Sequence, residues 1–216
     1  MKKYICAGLV ASIAGMFFSM WLYAYQNVNM ASADDTAINF SFSLGDIGPQ
    51  LVANGTIDSA KLLANAYLTR QRGKLSITSD NAQDMLNLFW ALGLANKNEV
   101  LEKGPMMDPK YGGAGNFAST GGWTVAVGGA MEHYSHHEIV MLNPEQQERV
   151  NNVSKTVFRP CCRNSTYFPD CNHGMAMLGL LELMAANNMN EQKMKEYADQ
   201  VNTKWFPQSR SSSCAV

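Results

Sequence analysis

Residues 171–188 read CNHGMAMLGLLELMAANN, an apolar run with a single acid, opened by Cys171 and Asn172. The run predicts a helix that starts near Cys171-Asn172, and two of its methionines, Met175 and Met177, belong to the core on this reading. Downstream, Asn190 opens a further helix that carries Met194, Tyr197 and Val201 to Trp205, where Pro207 stops it. Upstream, Asn143 as cap, Pro144 at the first position and Gln146 at the third announce a helix bearing Val150, Val153 and Val157, which ends before Arg159-Pro160. Asp80 or Ser79 can cap another, whose Met85, Leu88, Phe89 and Leu92 form an apolar stripe ending around Asn96. From Asp58 to Arg72 the positions Ala60, Leu63, Ala66 and Tyr67 recur at helical spacing, with Gly73 as C-cap. These five helices predict an all-α domain over residues 57–207.

Residues 104–130 interrupt the pattern. Their eight glycines leave little chance of a continuous helix and favour an irregular loop with one short strand around Trp123 to Val127. The glycines match neither G-x-G-x-x-G after a strand nor G-x-x-x-x-G-K-[ST], so no phosphate-cradling loop is supported. A long ordered loop often carries function.

At the other end of the chain, Tyr4 through Tyr25 form an uncharged apolar stretch of about 22 residues, long enough to cross a hydrocarbon core of ~30 Å. Lys2 and Lys3 before it, and Asp34 and Asp35 beyond it, predict a single-pass membrane anchor with the N-terminus cytoplasmic and the domain extracytoplasmic. A rival reading cleaves after Ala33, in Ala31-Ser32-Ala33, which makes residues 1–33 a signal peptide and the protein secreted. Residues 34–56 then read as a stalk, and 208–216 as a disordered Ser-rich tail. With 17 basic against 18 acidic residues, the chain has no electrostatic footprint for nucleic acid.

Chemistry concentrates before the apolar helix, where Cys161, Cys162, Cys171 and His173 fall within thirteen residues. A loop closing onto a helix N-terminus can converge thiolates and a neutral imidazole on a copper or zinc ion. The same helix end lowers a thiol's pKa, with Asp170 available to cap. Two other readings stay open: a disulfide from Cys171 to Cys161 or Cys162, and a reactive thiol. A second cluster holds three of the four histidines, His133, His136 and His137. His133 and His137 share one face if helical, and folding this segment onto the cysteine loop would complete or feed one metal site.

The stretches PEQQERVNNVSKTVFRPCC and FPDCNHGMAMLGLLELMAANN resemble bacterial membrane-anchored proteins that share a Pro-Cys-Cys, Asp-Cys-Asn-His-Gly signature. They are distantly similar to the lipoproteins with a PCYCGC motif. The likeness covers about a third of the chain and implies an extracytoplasmic metal or redox role. This chain lacks the interleaved Cys-Tyr-Cys-Gly-Cys and the lipoprotein cleavage cysteine. The leading expectation is a membrane-anchored, extracytoplasmic metal-binding protein that holds or passes copper without catalysis. Its rival is a disulfide-stapled module, on the same anchor, that meets a partner protein.

Overall fold

Helix starts follow local capping chemistry. The Asn143 carboxamide accepts from the Gln146 N–H, and Gln146 returns a bond to the Asn143 N–H, both at 2.9 Å. Asn190 accepts from the Lys193 N–H at 2.9 Å, and Asn98 from the Val100 N–H at 2.8 Å. These bonds satisfy N–H groups that a first helical turn leaves without partners. A computed structural model describes residues 36–62 and 69–206. Its helices are α1 (Ile47–Ala53), α2 (Ala82–Ala95), α3 (Glu99–Lys103), α4 (Ala118–Gly121), α5 (Ala130–His133), α6 (Pro144–Thr156), α7 (Asn172–Ala186) and α8 (Glu191–Trp205). Two short strands, β1 (Ile38–Asn39) and β2 (Ser76–Ile77), pair antiparallel, with Ile38 opposite Ile77. All these elements lie in the compact unit Ile38–Val216.

The all-α expectation is corrected by the strands. Ile38, Phe40, Phe42 and Leu44 alternate with Asn39, Ser41 and Ser43, and each of the four apolar residues is buried. This period of two suits an extended segment with one face on the core. Backbone bonds from the Phe40 N–H to Leu75 O (2.9 Å) and from the Leu75 N–H to Phe42 O (2.7 Å) carry the pairing beyond the named strands. The stretch expected as a stalk, 34–56, therefore supplies a core edge from Ile38 onward, followed by α1. The membrane-anchored part of the fold expectation is also not upheld: among the described residues no helix is long and apolar enough to cross a membrane. The expected span, 4–25, lies outside the described residues, as does the tail, 208–216.

The helix expected over 58–72 does not form in its described parts. Asp58 instead opens a turn, accepting from the Ala60 N–H at 2.9 Å, and Gln71 bridges to Gly45 in extended conformation. The Gly-rich stretch folds as three 3-10 turns, Pro105–Met107, Pro109–Tyr111 and Ala114–Asn116, then α4. No strand forms at Trp123 to Val127. Trp123 is buried there and donates from its indole to Thr56 O at 2.8 Å.

At the centre lies α7, with every residue from Gly174 to Ala185 buried, against α2, α4, α6 and α8. Met175 and Met177 are wholly buried core residues. Helices α2 and α7 meet backbone to backbone at Gly93 and Gly179: a Cβ at Gly93 would collide with Met175 O, and one at Gly179 would lie 2.5 Å from Phe89 O. Only glycine permits this approach. The contact sets α7 deep in the domain, and its first residues, Asn172 and His173, are partly exposed beside Cys171.

Candidate metal centre

Where α6 ends, the chain doubles back. The Thr166 N–H donates to Val157 O (2.9 Å), the Arg159 N–H to Asn164 O (3.1 Å) and the Tyr167 N–H to Ser154 O (2.9 Å). Arg163 sits at φ 59°, in the left-handed region that a tight reversal demands. Cys161 and Cys162 ride the exposed tip of this reversal. The chain then descends through Pro169 and Asp170 to Cys171, the extended residue that precedes α7.

The side chain that organises the loop is Arg159, whose guanidinium has no solvent exposure. Its Nε donates to Asn164 O (3.2 Å), and its Nη2 to Ser165 O (3.2 Å) and Phe168 O (2.7 Å). Its Nη1 donates to Asp170 Oδ1 (2.7 Å) and to Cys171 Sγ (3.0 Å). Burial works against the charge of Arg159, but the thiols of Cys171 and Cys162 and the Asp170 carboxylate outweigh it and hold its pKa above the ordinary value. Asp170 also accepts from Asn164 Nδ2 at 2.9 Å, so it belongs to this network and not to a helix cap. Gly174 makes room for the guanidinium, since a Cβ there would collide with Arg159 Nη1.

Around this fixed charge the sulfurs of Cys161, Cys162 and Cys171 all lie within 4.8 Å of one another, and all three are free thiols. The structure therefore brings together the three cysteines of the expected site as a group that could hold a metal ion. Cys161 is exposed as a residue, yet partial burial of its thiol, reinforced by Cys162 and Cys171, pushes its pKa up to about 12. Metal ligands are thiolates, and a cation is what favours that form of Cys161. A bound metal supplies that charge, so uptake releases protons.

The fourth expected ligand, His173, does not join the group. Its ring packs at a tilt on Phe206, with centroids 4.2 Å apart, and its Nδ1–H donates to Asn172 Oδ1 at 2.9 Å. Burial, with a smaller push from the Arg159 charge, brings its pKa down to about 4. The histidine cluster lies elsewhere. The first residue of α2, Ala82, accepts from the Trp205 indole, which also neighbours His173. The last turn of α2 receives the N–H groups of Ser135, His136 and His137 on Leu94 O and Ala95 O. His133, His136 and His137 are thus gathered around the last turn of α2 and are not members of the sulfur group. They do not complete the cysteine group.

The Gly-rich stretch buttresses the cysteine loop from outside. Phe117 and Tyr111 pack on Phe168 at 5.4 and 5.5 Å, and the Ser119 N–H donates to Asp170 O at 3.1 Å. Sequence reasoning gave no role to Arg159 or Gly174. The available signal was a basic residue before Pro-Cys-Cys and an acid, Asp170, before the third cysteine. No protein-family model, curated protein or solved structure matches this chain.

Proposed function

We propose that the protein holds a soft metal ion, Cu(I), on Cys161, Cys162 and Cys171 and passes it on without catalysis. The observation that carries this reading is the mutual approach of three unbridged sulfurs within 4.8 Å on a loop fixed from below by a buried arginine. Thiolates are soft ligands that select Cu(I), whereas zinc in structural sites almost always takes four ligands. Three cysteines with no imidazole alongside them suit the ion that accepts three. Two of the three cysteines are exposed, which gives a partner's thiols access for ligand exchange. Arg159 offsets one of the negative charges that three thiolates would gather around a monovalent ion.

The test is metal content by mass spectrometry on the chain purified anaerobically and exposed to equimolar Cu(I) or Zn(II), together with a count of free thiols. Near-stoichiometric copper is expected in the parent, and less than about a tenth of it in Cys171→Ser. A chain that retains no metal, with two of the clustered cysteines oxidised to each other, overturns the proposal and leaves a disulfide-stapled module.

A further inference from the structure

The histidine cluster excluded from the cysteine site has a geometry of its own. His133, at the end of α5, is 6 % exposed, and its Nε2 lies 2.9 Å from Val127 O. A carbonyl can only accept, so His133 carries its proton on Nε2 and turns the lone pair of Nδ1 outward. That lone pair meets Nε2 of His137 at 3.0 Å, so His137 carries its own proton on Nε2. A ligating histidine commonly donates its other ring N–H to a backbone carbonyl, which fixes ring and tautomer, and Val127 already does this for His133.

We infer that His133 Nδ1 and His137 Nε2 form a second, independent site for an imidazole-preferring divalent ion, Zn(II) in the first instance, with water completing the coordination. Two nitrogens held 2.0–2.1 Å from one zinc ion at the tetrahedral angle lie about 3.3–3.4 Å apart. The present 3.0 Å therefore needs to open by only a few tenths of an ångström. No charge moves to solvent on binding: the His137 proton leaves Nε2 for Nδ1, and the ion takes the vacated lone pair. His137 borders an open cleft of about 350 Å³ with Gln50, Asn54 and Glu138, which gives the ion and its waters access. Burial and the neighbouring His133 and His136 hold the pKa of His137 below the ordinary value, so its imidazole is neutral and ready to ligate at neutral pH. The site would tie the Gly-rich stretch, through Val127, to the C-terminal end of α2, where His137 bridges Asn96.

The test is a zinc titration by calorimetry on the full chain bearing Cys161→Ser, Cys162→Ser and Cys171→Ser, which separates this site from the cysteine centre. One equivalent should bind and raise the thermal midpoint, since a ligand of the folded state alone stabilises it. His137→Gln keeps a donor for His133 Nδ1 but removes the imidazole, and should weaken binding at least tenfold. His136→Ala, at an exposed ring, should leave it unchanged. Equal affinity in His137→Gln, or no zinc binding in its histidine-intact parent, overturns the inference. The ring nitrogens of His137, followed by NMR without any histidine substitution, give a second readout. Zinc should convert the Nε2–H form to Nδ1–H, and an unshifted ring is likewise fatal.

Discussion

Arg159 shows how one side chain can order a whole loop. Its five hydrogen bonds reach from Asn164 to Cys171, and a lysine at this position could not span the same acceptors with a planar fork. A second buried ionisable group, Glu182, sits in the middle of α7 and accepts from Asn96 Nδ2 at 3.0 Å. Asn96 in turn accepts from the N–H groups of Ile139 and Val140, tying the chain before α6 to the core. Burial drives the Glu182 carboxyl well above its ordinary value, and the asparagine bonds only partly oppose it. In the unfolded chain this acid ionises near 4.5, whereas in the fold it stays protonated to higher pH. Above about pH 4.5 the unfolded state therefore binds fewer protons than the native one, and stability falls as pH rises toward the folded-state pKa. Glu182→Gln reproduces the protonated acid. Its thermal midpoint should exceed the parent's at pH 8 and converge with it near pH 4; parallel curves at all pH values would refute the assignment.

Among the elements, α7 carries the architecture because it is buried on all sides from Gly174 to Ala185 and is surrounded by α2, α4, α6 and α8. Its tightest contact depends on two missing side chains. A Cβ at Gly179 would lie 2.5 Å from Phe89 O and 2.7 Å from Gly93 N, and backbone atoms of a packed helix cannot swing aside as a flexible side chain can. Gly179→Ala should therefore push α2 and α7 apart and destabilise the domain by about 1–3 kcal/mol or more, the usual range for overpacking. Urea denaturation reads this directly, and an unchanged midpoint would mean that the two helices do not approach so closely. The same glycine pair sets the depth of α7, so the loss should reach the cysteine loop at its N-terminus.

For the molecule as a whole, the decisive question is whether the chain before α1 belongs to the domain. Phe40 is 2 % exposed, with its ring 4.6 Å from that of Tyr197 on α8 and 5.2 Å from that of Phe42. Phe40→Ala should cost about 3–5 kcal/mol, as for other buried aromatics cut to alanine. A stalk residue would cost next to nothing, so a thermal melt of this single variant tells the two arrangements apart. Tyr197 reinforces the link by donating to Asn39 O at 3.0 Å.

Sequence alone determined the helices with strong local signals: Asn143 with Pro144 and Gln146, and Asn190, are caps whose bonds close within a few residues, and the apolar run after Cys171-Asn172 marks its own start although Cys171 makes no side-chain cap bond. It also singled out three cysteines near one helix start as candidate ligands, because that concentration is visible without coordinates. The alternation of Ile38, Phe40, Phe42 and Leu44 was equally legible, but the intervening Ser and Asn made it read as a linker, and the partner strand lies almost forty residues away. Tertiary structure alone decided which residues share a site. His173 is two residues from Cys171, yet it turns to Phe206, while Arg159, twelve residues away, donates to the Cys171 sulfur. The histidines are held at the last turn of α2 by Leu94 O and Ala95 O and stay outside the sulfur group. Capping and periodicity act over one or two turns of chain, whereas the convergence of donors depends on where packed helices leave their ends, and that is settled by long-range burial at Gly93 and Gly179.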